Sequence, residues 1–539
     1  MTRTLTIDGK AVTARDGETV LECALRNEMS IPHLCTHPNL PPFGACRMCL
    51  VEIDGMRGYP ASCSTPVAEG MRVQTNTDAV RRLRRKTLEL ILLEHPSACL
   101  VCDKRELCER YRPKAEKAGC TTGCHTCNNK EVCEIRVLSE QLNLAALPVA
   151  PSYREMPIER SDPFIDRDLN LCILCGRCIR ICEAHHDEAT IAFVGRGSKT
   201  RIGQAFGRSL VDAGCRFCGS CIDVCPTGSL SDRYAKWRGK PDAVVETTCV
   251  FCEAACALSV SSTRGRISGA KALRGGVPIC VLGRFALPEF VNGVTRLTVP
   301  SVRVGEVLRE MPWEEALERT SRKLKQFTGN TFALVCDTTS TLEDRHLFER
   351  FVQEVMGSAH YIEIEPDRRG VSRAGLPDGV KAALMTGAFV ESAELDRLDF
   401  LIVQDCYPTA ISEQADVVLP AAVFAEVDGT VVDGDGHFRP LRQAGKPPGQ
   451  ARAEWRIVTE LAGAMGAKGF DLESATDITR ELGTAEAKLL PERGAAPAAA
   501  AKPGNRRTHF RGHRIDERVR GVRYLPVDNG AVPVTAAGG

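Results

Sequence analysis

No stretch of this 539-residue chain approaches the ~18 continuous apolar residues of a membrane span. The opening, Met1-Thr-Arg-Thr-Leu-Thr-Ile, also lacks the apolar core of a signal peptide, so a soluble, cytoplasmic protein is expected. Neither sign of charge is in excess. Lys plus Arg is 70, Asp plus Glu 69 and the formal charge +1, which argues against nucleic acid or an anionic membrane as partner. Nucleotide motifs are missing too: there is no P-loop signature, and Gly195-Arg-Gly197 opens no βαβ unit and reads as a turn. Cysteine is scarce after Cys280, where only Cys336 and Cys406 stand.

Before that point cysteine is abundant, with 24 of the 26 at or before Cys280. In a chain that is not secreted, such density argues against disulfides and for metal binding, because thiolates are the ligands that zinc and iron-sulfur clusters want. At roughly 100 to 200 residues per domain, the length makes about three to five domains.

Residues 1–15 read as strand, Asp8-Gly9 turn and strand, followed by a helix from Glu18 to Asn27 and a strand from Met48 to Ile53. A helix capped by Asp78 runs through Leu83, Thr87 and Ile91 towards His95-Pro96. Its Arg81, Arg82, Arg84, Arg85 and Lys86 oppose the helix dipole and read as a solvated face, or less simply as a dock for an acidic partner. After Cys280 the texture becomes α/β, with strands at Phe332–Val335, Tyr361–Ile364, Phe400–Val403 and Val417–Leu419 and a helix from Leu342 to Met356 closed by Gly357. An Ala/Pro-rich linker from about Gly494 to Gly504 precedes an Arg-rich tail, His509 to Pro526, that shows no core pattern and reads as lying on a surface of this chain or a partner.

The cysteines fall into six groups. Cys35-x10-Cys46-x2-Cys49-x13-Cys63 offers four thiolates around a hairpin, which suits a 2Fe-2S cluster, with zinc as the alternative. His95-x3-Cys99-x2-Cys102-x5-Cys108 is repeated 25 residues on as Cys120-x3-Cys124-x2-Cys127-x5-Cys133, with the histidine replaced by cysteine. Cys172-x2-Cys175-x2-Cys178-x3-Cys182 and Cys215-x2-Cys218-x2-Cys221-x3-Cys225-Pro226 carry the two-cluster ferredoxin signature, in which the fourth cysteine of each run serves the other cluster. Cys249-x2-Cys252-x3-Cys256-x23-Cys280 is the sixth. Cys23, Cys336 and Cys406 are left over as small core residues.

The first spacing resembles the N-terminal ferredoxin domain of the large iron-sulfur subunit of respiratory complex I and of NAD-linked iron-only hydrogenases. Glu94-His-Pro-Ser-Ala-Cys-Leu-Val-Cys-Asp resembles the motif by which those families hold a 4Fe-4S cluster through one histidine and three cysteines. The repeat then implies a further all-cysteine 4Fe-4S cluster. Cys215-Arg-Phe-Cys-Gly-Ser-Cys resembles the ferredoxin insert of formate dehydrogenases and hydrogenases, and Thr247-Thr-Cys-Val-Phe-Cys the 4Fe-4S motif that opens molybdopterin oxidoreductases. Val281-Leu-Gly-Arg-Phe, Pro312-Trp-Glu-Glu-Ala, and Gln404-Asp-Cys-Tyr through Ala415-Asp-Val-Val-Leu-Pro-Ala to Asp428-Gly-Thr continue that last likeness. Two departures stand out. Catalytic members carry Lys two residues after the fourth cysteine, where this chain has Leu282, and only 259 residues follow Cys280, too few to enclose a pterin.

The resemblance implies a multidomain α/β and α+β chain: a β-grasp 2Fe-2S ferredoxin domain over 1–78, a helical cluster-binding region over 79–150, and a bacterial-type two-cluster ferredoxin over 151–240. The helical region would hold two 4Fe-4S sites, one with a histidine and three cysteines and one with four cysteines. A molybdopterin-oxidoreductase-type 4Fe-4S domain over 241–300, a reduced α/β domain over 301–493, and the linker and tail over 494–539 complete it. One 2Fe-2S and five 4Fe-4S clusters are expected, without molybdopterin. Such a chain would relay electrons from an FMN-containing NAD(P)H-oxidising subunit, beside a small 2Fe-2S subunit, to a reductase, hydrogenase or formate-oxidising subunit or a ferredoxin, with no substrate-converting site of its own. The alternatives are a catalytic molybdenum or tungsten subunit like formate dehydrogenase, and a zinc-rich structural protein.

Overall fold

A computed structural model describes residues 2–96, 127, 133–144, 146–150, 152, 154–186, 190–238, 240–273, 278–367, 375–387, 392–483 and 506–527. The chain divides into two compact units, Met1–Cys215 with Gly219–Lys240, and Arg216–Cys218 with Pro241–Gly539.

In the first unit, β1 (Arg3–Ile7) and β2 (Lys10–Ala14) form the expected hairpin. Asp8 and Gly9 both take positive φ, +48° and +81°, the left-handed pair that a tight two-residue turn requires. Helix α1 (Val20–Arg26) starts on a capping box between Thr19 and Glu22 and buries Val20 and Leu21 against Leu5 and Ile7 of β1. The sheet is completed by β3 (Glu52–Ile53) and β4 (Arg72–Gln74) in the order β2-β1-β4-β3, with β4 parallel to β1. The strand expected from Met48 shrinks to β3, because Val51 N–H bonds the Pro60 carbonyl and the Cys49 carbonyl accepts from Ser62, folding this stretch into a loop.

Helix α2 (Asp78–Glu94) is capped by Thr77, whose hydroxyl accepts from Val80 N–H, rather than by Asp78, which becomes its first residue. Its basic face divides. Arg81, Arg82 and Arg85 are solvated, whereas Arg84 is buried and donates to the Leu50 carbonyl at 2.6 Å. Further on lie α3 (Glu134–Gln141), β5 (Ile165–Arg167), α4 (Arg177–His185), β6 (Ala192–Val194), β7 (Arg201–Gly203), α5 (Ser220–Asp223) and β8 (Leu230–Asp232). Strands β5 and β8 pair, as do β6 and β7. Gly195 lies in the β6–β7 turn, where a Cβ would come within 2.4 Å of the Lys199 carbonyl oxygen.

The second unit opens with an antiparallel sheet of β9 (Ala243–Thr248), β10 (Ala257–Thr263) and β11 (Arg266–Ala272). Its larger sheet comprises β12 (Ser301–Val304), β13 (Val307–Glu310), β14 (Phe332–Asp337), β15 (Tyr361–Ile364), β16 (Ala382–Thr386), β17 (Phe400–Asp405) and β18 (Val417–Pro420), in the order β13-β12-β18-β17-β16-β14-β15. Strands β15 to β18 and β14 run parallel, while β12 and β13 are antiparallel. Continuous apolar runs such as Phe332-Ala-Leu-Val-Cys are what a parallel strand covered on both faces needs. Phe332, Leu334 and Cys336 join one core with α6 (Trp313–Leu324), α7 (Leu342–Arg350) and α8 (Glu454–Met465), and Ala333 and Val335 join a second core on the opposite face. The helix expected to Met356 continues from α7 as one π-helical stretch, Phe351–Val355.

The tail corrects the expectation of a segment without a core pattern. His509–Phe510 and His513–Arg514 form a short hairpin, and Phe510, Ile515, Val519, Val522 and Leu525 are buried. The spacing of the last four is helical, but interleaved arginines hide it in the sequence. Among the described residues, no helix is long and apolar enough to cross a membrane.

Within the tail, His513 Nε2 meets Asp405 Oδ1 at 2.8 Å. Burial opposes the imidazolium, but the Asp405 carboxylate outweighs it and pushes the His513 pKa up to about 10. A raised histidine pKa gives stability that is complete below the unfolded value of ~6.5 and disappears as pH rises through the folded value. Thermal stability of the full chain is therefore expected to fall between about pH 7 and 10 by more than that of His513→Asn. Parallel curves for the two proteins would contradict it.

Candidate metal centres

The first cysteine set converges around the loop between α1 and β3 and the turn at Ser62–Ser64. Cys35 N–H lies 3.3 Å from Cys46 Sγ, and Cys46 N–H lies 3.5 Å from Cys35 Sγ. The Cys35 thiol is hydrogen-bonded to those of Cys46 and Cys63, and Cys49 to Cys63. Four thiols so close share protons: bonding to Cys63 lowers Cys49 to about 6, bonding to Cys46 lowers Cys35, and Cys46 and Cys63 are raised. The buried Arg84 adds positive charge near Cys49.

Of the second group only His95 is described, and Cys99, Cys102 and Cys108 lie outside the described residues. His95 follows α2 directly and is 5% exposed, and its Nδ1 has no hydrogen-bond partner among the described residues. Burial holds its pKa down to about 4, so the ring is neutral, the form in which a nitrogen can ligate. Of the repeat, Cys120 and Cys124 lie outside the described residues. Cys127 is half-buried, and Cys133 is the buried N-cap of α3, within electrostatic reach of Cys225.

The ferredoxin runs fold alike. Leu174 and Phe217, each the residue before the second cysteine, both have positive φ (+54° and +50°), and so do Gly176 and Gly219 immediately after it (+70° and +76°). Left-handed Leu and Phe are strained, and such strain persists where the loop must present its amides inward. Cys172, Cys175, Cys178 and Cys225 line one small pocket, closed by Ile202 and Leu230. Burial chiefly pushes Cys172 up to about 11 and Cys175 to about 12. In the second run, Cys221 on α5 packs beside Ile181 of α4, the helix that carries Cys182.

In the second unit, Cys249 follows β9 and bonds across the turn to the Cys256 carbonyl at 2.9 Å. Cys249, Cys252, Cys256 and Cys280 interact as one set, and burial raises Cys252 to about 11 and Cys256 to about 12. A π-helical turn, Leu282–Ala286, follows Cys280, and a Cβ on Gly283 would lie 3.5 Å from Cys249 Sγ. Leu282, at the position where a lysine is expected in catalytic relatives, is buried and apolar.

One contact recurs across these sets. The amide two residues beyond a cysteine bonds its sulfur: Met48 to Cys46, Leu174 to Cys172, Arg177 to Cys175, Phe251 to Cys249 and Ala254 to Cys252. Thiols that resist ionising in apolar pockets, ringed by amides that favour the thiolate, fit a multiply charged cation or cluster.

Two arginines that no motif singles out connect the sets. Arg180 of α4 donates to the carbonyls of Cys35 and Pro41 and lies 4.6 Å from the centre of the Phe43 ring, so the first loop rests on the helix of the ferredoxin run. Arg177, 2% exposed, donates to both carboxylate oxygens of Glu134, the residue after Cys133, and to the Val224 carbonyl before Cys225. Cys23 and Cys336 are buried core residues, and Cys406 is buried just after β17.

Three family models match the chain: a 2Fe-2S iron-sulfur cluster binding domain over residues 2–78, the ferredoxin-like domain of NADH-quinone oxidoreductase subunit 3 over 162–231, and molybdopterin oxidoreductase over 361–464. The NADPH-Fe(3+) oxidoreductase subunit alpha of Geobacter sulfurreducens is 31% identical over 66% of this chain and 39% of its own length. NADH-quinone oxidoreductase subunit 3 of Thermus thermophilus is 30% identical over 63% of the chain and 44% of its length. The NADP-reducing hydrogenase subunit HndD of Solidesulfovibrio fructosivorans is 34% identical over 45% and 39% respectively. The chain thus spans about two fifths of the length of these relatives. With matches to a 2Fe-2S domain, a ferredoxin-like domain and a molybdopterin-oxidoreductase domain in that order, it is similar to subunits of NADH-quinone oxidoreductase and of NADP-reducing hydrogenase.

Proposed function

We propose that the chain is an electron-transfer subunit holding one 2Fe-2S and five 4Fe-4S clusters. It relays electrons between an FMN-containing NAD(P)H-oxidising subunit and a catalytic reductase, hydrogenase, formate-oxidising or ferredoxin partner. The observation that carries this reading is the joining of separate cysteine sets by direct protein contact, Arg180 linking the Cys35 loop to α4 and Arg177 linking the Cys133 cap to the turn that carries Cys225. The clusters supply one-electron carriers; the chain supplies everything else. Amides aimed at sulfur favour the thiolate, apolar walls exclude water, and Arg84 and Arg180 place positive charge beside the Cys35–Cys63 set. His95 brings a neutral ligand where the repeat has Cys120, so the all-cysteine site should have the lower potential.

The proposed ligands are Cys35, Cys46, Cys49 and Cys63; His95, Cys99, Cys102 and Cys108; Cys120, Cys124, Cys127 and Cys133; Cys172, Cys175, Cys178 and Cys225; Cys215, Cys218, Cys221 and Cys182; and Cys249, Cys252, Cys256 and Cys280. Anaerobically purified protein should then contain about 22 iron atoms per chain with matching acid-labile sulfide, and no molybdenum or tungsten. A colourless zinc protein would overturn the proposal. The second reading, a molybdenum or tungsten catalytic subunit, draws on the molybdopterin-oxidoreductase match over 361–464, and stoichiometric molybdenum or tungsten would establish it instead.

A further inference from the structure

The parallel sheet of the second unit ends in a crevice of the kind where open α/β sheets take their ligands, beyond the carboxyl ends of the strands. Three adjacent parallel strands, β14, β16 and β17, end there in Asp337, Thr386 and Asp405, and Glu454 starts α8 beside them. Asp337, Asp405 and Glu454 are all buried. A crevice with three buried carboxylates is built for a cation and opposes the phosphates of a pterin cofactor. The residues present therefore do not fit the group that the molybdopterin-oxidoreductase match implies.

The cation comes from the chain itself. Arg511 Nη2 donates to Glu454 Oε1 at 2.7 Å and Oε2 at 2.9 Å, to Thr386 Oγ1 at 2.6 Å and to Ser340 Oγ at 3.2 Å. Its Nε lies 4.0 Å from Asp337 Oδ1, and His513 takes Asp405. The backbone is shaped around this side chain: a Cβ on Gly387, which has φ +64°, would come within 2.3 Å of Arg511 Nε. The same segment reaches the sixth cysteine set. Phe510 packs edge-on against Phe251, with ring centres 5.2 Å apart, and Arg507 pairs with Glu253, the two residues flanking Cys252.

We propose that residues 506–527 are an intrachain peptide ligand of this lobe, seated by Arg511 and His513 in the strand-end crevice and filling the space between it and the Cys249–Cys256 turn. The inference rests on the electron-transfer reading, in which the lobe is a scaffold, and goes beyond it by naming what occupies the crevice.

The test is a full-length chain with a protease site placed in the Ala/Pro-rich stretch between Gly494 and Gly504. After cleavage the C-terminal fragment is expected to co-elute with the rest of the chain on size exclusion. A labelled synthetic peptide of residues 506–527 should exchange into the cut protein, and its Arg511→Ala counterpart should bind at least about 100-fold more weakly, the consequence of leaving Glu454 buried and unpaired. Using the peptide keeps the test informative if the Arg511→Ala chain does not fold. Separation of the native fragment on cleavage, or equal binding of the two peptides, overturns the inference while leaving iron content and the electron-transfer reading intact. Stoichiometric pterin with molybdenum or tungsten in the uncut chain overturns both.

Discussion

Arg296→Ala is expected to destabilise the second unit by about 3–5 kcal/mol, the cost of removing one partner of a buried ion pair. The Arg296 and Glu426 side chains are 2% and 3% exposed and meet through two hydrogen bonds, at 2.8 and 3.2 Å. The same guanidinium donates to the carbonyls of Val291 at 2.7 Å, Cys406 at 3.1 Å and Ala421 at 3.4 Å. It therefore ties the segment after Cys280 to the ends of β17 and β18, and alanine would strip all of these acceptors at once. Burial already raises the Glu426 pKa, against the lowering by Arg296. Without the arginine, the carboxyl should take up a proton on folding. A raised acid pKa costs stability above the folded value and costs none below the unfolded value of ~4.3, so the deficit of Arg296→Ala should be smaller at pH 5 than at pH 8. Glu426→Gln in the Arg296→Ala background should recover part of the loss. Guanidinium denaturation of the full chain measures both, and a deficit under about 1 kcal/mol, or one independent of pH, would refute the account.

The second large effect is on metal content. Cys225→Ser should remove about four of the ~22 iron atoms, and the centre lost should be the one built on Cys172, Cys175 and Cys178 rather than the one built on its own run. The geometry behind this is the single pocket lined by those three residues and Cys225, although Cys225 lies far along the chain from all of them. Its thiol lies 3.6 Å from Thr227 Oγ1, whose hydroxyl donates to the Leu171 carbonyl at 2.8 Å, so the end of the second run is fixed to the start of the first. Cys182→Ser should remove the reciprocal centre. Iron analysis with low-temperature electron paramagnetic resonance of the two variants gives the answer: loss of the same signal in both, or undiminished iron, would contradict the crossed assignment.

The proposed ligand sets are legible in the sequence, and what supports them is not. Thiol chemistry is local, and a CxxCxxC run fixes its own loop. Asp8-Gly9 likewise fixed the first hairpin, since few residues tolerate positive φ. Arg84, Arg177, Arg180 and Arg511 were illegible, because the partners that hold each are distant in the chain. Glu134 and Arg177 lie 43 positions apart, and Arg511 and Thr386 lie 125 apart. A cluster of arginines reads as solvated surface until the carboxylates and carbonyls that receive it are in place. The same reasoning misjudged the tail, where the helical spacing of Ile515, Val519, Val522 and Leu525 was present but masked. The 25-residue repeat falls largely outside the described residues, with His95, Cys127 and Cys133 its visible members.

The amides that bond the cysteine sulfurs belong to the main chain, so the hold on the sulfur does not depend on which side chain stands between the ligands. The two ferredoxin runs carry different side chains, Ile173-Leu174 in one and Arg216-Phe217 in the other, over loops with the same left-handed turns. Each side chain can suit its own surroundings, as the fully buried Phe217 does, while main-chain donors hold the sulfurs. An ancestral subunit of this kind could change the company it keeps without rebuilding its carriers.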